Sequence, residues 1–205
     1  MKIAIIGTGN VGGALATRWA AKGHEIILGV RDTSNFKGKE LLQNPNIIVK
    51  PIIEAVQAAD VIALSVPAPM AAEVAAQLGN TEGKVIIDTM NIVKGRGPAG
   101  FSNTADAILV HTQTRDVVKC FNTTGFNNML NPVYNGEALD MFVAGSSAKG
   151  KEIAKQLALD AGFALCYDVG GNDTFELMEQ FAFFWINLAM FQGHGREIGF
   201  KLLKR

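Results

Sequence analysis

Hydrophobic positions fall in short unbroken runs separated by polar or glycine-containing stretches, and this rhythm repeats along the chain. Ile3–Ile6, Glu25–Val30, Ile47–Val49, Asp60–Val66, Lys84–Asp88 and Asp116–Phe121 each have the length and content of a strand covered on both faces. Helical signals lie between them. Val11, Leu15 and Trp19 recur at four-residue intervals, Ile52–Ala59 and Ala68–Leu78 have helical composition, and a further helix is expected from Asn103 to Ile108. The polar stretch Asp32–Gln43 reads as a loop followed by a short helix. Strands alternating with helices at this spacing predict an α/β protein with a doubly wound, mostly parallel sheet.

The last third keeps the alternation but changes character. Asp140–Ala144 and Phe163–Tyr167 are expected strands, with an amphipathic helix over Lys149–Ala161 between them. Asp173-Thr-Phe-Glu176 has the form of a capping box, which predicts a helix of about five turns after it. Met178, Phe181, Trp185 and Leu188 mark one face of that helix, while Phe183, Phe184, Ile186 and Met190 spread apolar surface around the rest. A helix apolar on most sides is buried on most sides, so a homodimer partner or an aromatic pocket wall is expected along 174–192. The reading divides the chain into residues 1–138 and a C-terminal strand-helix extension, 139–205, packed as one compact unit.

Composition narrows the partners. The chain has 205 residues, 48% of them hydrophobic, and its nineteen basic side chains balance nineteen acidic ones. No global field attracts nucleic acid or an anionic membrane. The longest apolar stretch, Phe181–Phe191, is broken by Asn187 and is too short to span a bilayer. Only a five-residue apolar run precedes Gly7, which predicts no secretory leader and a cytoplasmic protein. Cys120 and Cys166 lack metal-ligand or redox spacing and read as inert thiols; no metal site is expected.

Candidate chemistry begins at the first strand end, where Gly7-Thr-Gly-Asn-Val-Gly12 joins a strand to a helix. Gly7 permits the turn, Gly9 leaves room for a pyrophosphate, Gly12 allows close packing, and the helix N-terminus favours the anion. This context reads as a dinucleotide-binding βαβ unit of Rossmann type. An NAD site usually ends the second strand with an acidic residue, but here Val30 is followed by Arg31, with Thr33, Ser34, Lys37 and Lys39 close behind. A guanidinium can grip a 2′-phosphate with two N–H groups, so NADP is expected; Asp32 is the dissenting residue.

Ligands in such sheets gather beyond the carboxyl ends of the strands. Ser65, Val66 and Pro67 close the fourth strand, Asn91 follows the fifth, and Asn122, Thr123 and Gly125 follow the sixth. These are expected around the nicotinamide and its ribose, with the polar exit at 122–125 facing the carboxamide or the second substrate. The predicted cofactor contacts are therefore Gly7, Thr8, Gly9, Asn10, Val11, Gly12, Arg31, Thr33, Ser34 and these strand-end residues. Ile92–Asn103, rich in glycine, is either a lid or a connection.

No catalytic acid or base stands out. Tyr134 and Tyr167 lack a lysine four residues on, Lys119 and Lys201 stand isolated, and His24, His111 and His194 read as surface or satisfied polar groups. Hydride transfer between stacked rings needs little proton chemistry from side chains, so a flavin-like acceptor would explain the absence. The chain resembles the F420-dependent NADP oxidoreductase family. The resemblance rests on Gly7–Gly12, Gly29-Val-Arg-Asp32, Val66-Pro67, Asp88-Thr-Met-Asn91, Val117-Val-Lys-Cys-Phe-Asn122, Phe175-Glu-Leu-Met-Glu179 and the tail Phe191–Phe200. It implies NADPH on the glycine turn, its 2′-phosphate near Arg31, nicotinamide near Pro67 and Asn122–Gly125, and a dimer through the C-terminal helices. The acceptor it implies is F420, FMN or FAD. Two other readings remain: a Rossmann reductase of a small imine or keto acid, and a non-catalytic NADP(H) sensor.

Overall fold

The computed structural model describes residues 1–205. Its elements in order are β1 (Lys2–Ile6), α1 (Asn10–Ala21), β2 (Glu25–Val30), β3 (Ile47–Pro51), α2 (Ile52–Ala58), β4 (Val61–Leu64) and α3 (Ala71–Ala76). There follow β5 (Val85–Asp88), α4 (Thr104–His111), β6 (Val117–Cys120), α5 (Phe126–Leu130), β7 (Val133–Tyr134) and β8 (Glu137–Ala138). The chain closes with β9 (Met141–Ala144), α6 (Ala148–Asp160), β10 (Cys166–Gly170) and α7 (Phe175–Ile186). The polar stretch after β2 ends in a 3₁₀ turn, Lys39–Gln43, rather than an α-helix.

Eight strands form one sheet in the order β10-β9-β6-β5-β4-β1-β2-β3. The six from β3 to β6 are parallel in the sequence 3-2-1-4-5-6, whereas β9 lies antiparallel to β6 and β10 parallel to β9. This is the doubly wound Rossmann arrangement expected, with two reversed strands added at one edge. Helices cover both faces, which is why Ile3–Ile6 and Val61–Leu64 are buried at every position. One apolar layer joins the sheet to α1 and α6 around Trp19, whose indole N–H donates to the Leu157 carbonyl at 3.0 Å and whose ring meets Phe121 edge-on. The other holds Ile6, Ile62, Leu64 and Ile86 with Ala71, Ile108, Phe175 and Met178. No helix is long and apolar enough to cross a membrane.

Three local expectations are corrected. The final strand begins at Cys166, not Phe163, because the end of α6 takes Phe163 first. Gly162 adopts φ +101° and donates to Leu159 O, while Phe163 N donates to Ala158 O, the paired bonds that close a helix on a left-handed residue. The capping box at Asp173 does not form: residues Asn172–Thr174 make a 3₁₀ turn in which the Thr174 hydroxyl donates back to Gly171 O at 2.7 Å, and Thr174, not Asp173, precedes α7 without a side-chain cap. After Ile186 the helix continues as a π-turn over Asn187–Phe191, with Gln192 N bonded to Asn187 O. The β7–β8 hairpin was not expected, although its Asn135-Gly136 corner, with φ of 51° and 87°, carries the usual dipeptide for that turn.

Candidate cofactor and acceptor site

Because β1, β2, β4, β5 and β6 run parallel, their carboxyl ends open on one edge, and the strand order reverses between β1 and β4. Gly7–Gly12, Arg31–Ser34, Ser65–Pro67, Asn91 and Asn122–Gly125 all follow those strand ends and are brought to that edge.

The glycine turn is built for close approach. Gly7 has φ +103°, and a Cβ there would lie 2.3 Å from the Ser65 carbonyl oxygen. A Cβ on Gly12 would lie 1.9 Å from the Gly7 carbonyl oxygen. A Cβ on Gly9, by contrast, would meet nothing within 4 Å. Gly9 precedes α1, whose first turn has neither a side-chain cap nor an acidic residue, so its leading N–H groups face open space with no anion of the protein's own. These residues fit the diphosphate of a dinucleotide.

The loop after β2 supplies cations around that turn. Arg31, Thr33 and Ser34 are exposed, and Gly38 packs its backbone beside Thr8. Asp32 spends Oδ1 on Ser34: it accepts from Ser34 N at 2.8 Å and Ser34 Oγ at 2.6 Å. Those bonds hold its carboxyl below the usual range and turn it into its own loop. Lys39 donates to Ser34 O, and Lys37 reaches Asn10 Oδ1 at 3.3 Å, placing an ammonium at the start of α1. Sequence reasoning had Lys37 only as part of a basic loop.

Beyond β4 and β5 a cavity of about 440 Å³ is lined by Ala68, Pro69, Asn91, Val93, Lys94, Arg96 and Phe191, within the size range of small-molecule sites. Of the residues predicted from sequence, only Asn91 lines it. Val93 and Arg96 pair across a two-residue corner in which Lys94 and Gly95 both have positive φ, 52° and 71°. The glycine-rich segment thus carries a tight hairpin on the cavity wall. Phe191, at the end of the π-turn, lies under the Lys94 ammonium at 4.0 Å. Neither Lys94 nor Arg96 forms a salt bridge, and the wall carries no carboxylate.

Asn122 and Thr123 are buried and committed to protein partners. The Asn122 amide donates to Asn91 Oδ1 at 2.8 Å and to Met178 O at 3.1 Å, and Asn91 returns a bond to Asn122 O at 2.8 Å. Asn122 Oδ1 has no partner. Phe121, just before it, holds φ +63°, a conformation that costs energy for a bulky side chain. Thr123 faces Met141 sulfur, and Gly125 lies where a Cβ would strike the Trp185 ring at 2.7 Å. His24 is a satisfied polar group, with Asp160 at 2.9 Å and the N-terminal amine at 3.2 Å.

Lys119 is not isolated. It is fully buried at the end of β6, with its ammonium 2.5 Å from Asp88 Oδ2, 2.8 Å from Glu179 Oε1, 2.9 Å from Thr104 Oγ1 and 3.0 Å from Met90 O. The Thr104 hydroxyl lies 2.6 Å from Asp88 and 3.0 Å from Glu179, and its one proton serves either carboxylate. Burial pushes the Asp88 carboxyl above its ordinary range; Lys119 and Thr104 pull the other way, and the charge of Glu179 adds to the rise. Two carboxylates against one ammonium leave an excess of negative charge, which that rise relieves. The signal in the sequence was a lysine inside an otherwise apolar strand, which has to find a counter-charge.

Residues 2–92 match the family described as NADP oxidoreductase, coenzyme F420-dependent. Among solved structures, the chain is similar to a protein from Arthrobacter sp. FB24 assigned as an F420-dependent NADP reductase, with 23% identity, TM-score 0.82 and 100% of both chains covered. A hypothetical protein from Sinorhizobium meliloti aligns with 21% identity and TM-score 0.74, over 100% of this chain and 96% of that one. A reductive aminase from Aspergillus terreus, solved with NADPH4, cyclohexanone and allyl amine, aligns with 17% identity and TM-score 0.66; 94% of this chain covers 62% of that one. At these identities the structural likenesses carry the fold. The matched stretch, residues 2–92, includes the glycine turn, the arginine loop and Asn91 and is similar to that family over a little under half of the chain.

Proposed function

We propose that this chain is an NADP(H)-dependent oxidoreductase whose second substrate is a flavin-like ring molecule such as F420, FMN or FAD. Bound on the glycine turn, NADPH would supply a hydride. The N–H groups opening α1 hold the diphosphate, with Lys37 adding charge beside them. Arg31 and Thr33 select the 2′-phosphate, while Ser34, expected beside them, gives its amide and hydroxyl protons to Asp32 and so keeps that carboxylate occupied within its own loop. The observation that carries the acceptor reading is the cavity beyond β4 and β5. Phe191, Val93, Ala68 and Pro69 give apolar walls, Asn91 offers an amide, and Lys94 and Arg96 add positive charge without a salt-bridge partner. An anionic, planar ring molecule suits this lining. A cationic iminium does not, and the fungal aminases that share the fold have a further part this chain does not match.

The reading is tested by mixing the protein with NADPH and FMN or F420 and following nicotinamide absorbance; no turnover with any ring acceptor overturns it. Arg31→Ala should raise the KM for NADPH about 10- to 100-fold, the worth of one charge-assisted phosphate contact, and leave that for NADH little changed. A loss shared equally by both cofactors would remove Arg31 from the phosphate site.

We further propose a homodimer through residues 174–192, where Leu177, Phe184, Met190 and Phe191 are each about half exposed. Large apolar side chains left half exposed along one helix and its extension are what a second copy of the chain would cover. Light scattering should give twice the chain mass, and a monomer at micromolar concentration would count against the interface.

A further inference from the structure

The Lys119 cluster reaches beyond its own ion pairs through Glu179. Its Oε2 accepts from Ile92 N at 2.7 Å and its Oε1 from Thr104 N at 2.9 Å. Those two amides are the feet of residues 93–103, the segment whose hairpin lines the acceptor cavity. Within the segment the backbone bonds are short-range and internal: Arg96 N to Val93 O, Gly97 N to Gly95 O, Phe101 N to Pro98 O. One carboxylate on α7 therefore ties both ends of the loop to the body of the protein. A second cavity of about 240 Å³, bordered by Glu179, Ile92, Lys94 and Ser102, lies between that loop and α7, so the loop has room to shift once the tie is cut.

We propose that Glu179 is a positioning residue for the acceptor site: its carboxylate, 2.8 Å from the Lys119 ammonium, fixes the feet of the 93–103 loop and so places Val93, Lys94 and Arg96 on the cavity wall. The inference rests on the acceptor reading above. The carboxylate is needed because it offers acceptors to both amides at once. A glutamine turns an N–H group towards one of them, and an aspartate is one methylene too short to span both.

The test compares Glu179→Gln and Glu179→Asp with the unaltered protein in three measurements. KM for FMN or F420 should rise on the order of tenfold, since small misplacements of a substrate-positioning wall are costly. NADPH affinity, read by fluorescence titration, should stay within about twofold, because the glycine turn lies elsewhere. Hydrogen exchange at the Ile92 and Thr104 amides should speed up by about tenfold, while core amides of β1 and β4 keep their protection. A lowered Tm with unchanged acceptor KM and unchanged exchange at the two feet would reduce Glu179 to a packing role and overturn the proposal. Glu179→Asp keeps the charge that Lys119 requires, so it carries the test if the glutamine variant does not fold. If the unaltered protein turns over no ring acceptor, the functional reading fails by itself, and the amide exchange still decides whether Glu179 holds the loop.

Discussion

Lys119→Met should lower the free energy of unfolding by about 3–5 kcal/mol, seen as a large fall in the midpoint of a denaturant titration. The substitution nearly keeps the volume of the side chain and removes its charge, leaving Asp88 and Glu179 facing one another in a fully buried site. The cost is that of two uncompensated carboxylates rather than of a lost attraction. Two consequences separate this cause from simple mispacking. Adding Asp88→Asn and Glu179→Gln to Lys119→Met should recover part of the loss, since a neutral polar cluster is cheaper than an unbalanced ionic one. The loss should also shrink in acid. Asp88 already binds its proton more tightly than an exposed aspartate, and removing the ammonium tightens it further. A carboxyl raised in the folded state stabilises below its unfolded pKa and loses that stabilisation as pH rises through the folded value. The gap between variant and parent should therefore be smallest near pH 4 and widest near neutrality. A gap independent of pH would contradict the electrostatic account.

The glycine turn supplies the second large effect, through a contrast between neighbours. Gly9→Ala should leave Tm nearly unchanged, because the new methyl meets nothing within 4 Å and alanine tolerates the extended conformation at that position. It should still weaken NADPH binding by about tenfold or more, because the methyl occupies the space from which the diphosphate approaches. Gly12→Ala should lose both properties. Its methyl would sit 1.9 Å from the Gly7 carbonyl oxygen, so α1 must move off β1, at a cost of about 1–3 kcal/mol. Titration with NADPH alongside thermal melts of the two variants reads the contrast. Equal behaviour would mean that the open space at Gly9 is not where the ligand lies.

The sequence made local features plain and distant ones obscure. Three glycines within six residues, a strand before them and a helix after them are written contiguously, so the strand–turn–helix unit and its close packing could be read directly. Alternation of buried runs with helices likewise gave the parallel core of the sheet. What failed were competitions between neighbouring signals. Phe163 has strand character, yet a glycine before it closes α6 and claims its amide. Asp173 and Glu176 have the spacing of a capping box, yet Thr174 closes a tighter turn first. The wall of the cavity beyond β4 and β5 was obscure for another reason: Lys94, Arg96 and Phe191 come together only when α7 and its extension meet the segment that follows β5. Lys119 could be recognised as anomalous, but nothing near it in the chain names Asp88, Thr104 and Glu179 as its partners.

The π-turn that ends α7 has a consequence for the cavity it borders. Each residue of regular helix advances about 100° around the axis, so one surplus residue in a single turn re-aims everything after it by that angle. Wound regularly, the same sequence would carry Phe191 away from Lys94 and leave the far side of the cavity without its aromatic cover. The widened coil thus works as an angular offset, and the aim of one ring depends on chain count as much as on side-chain identity.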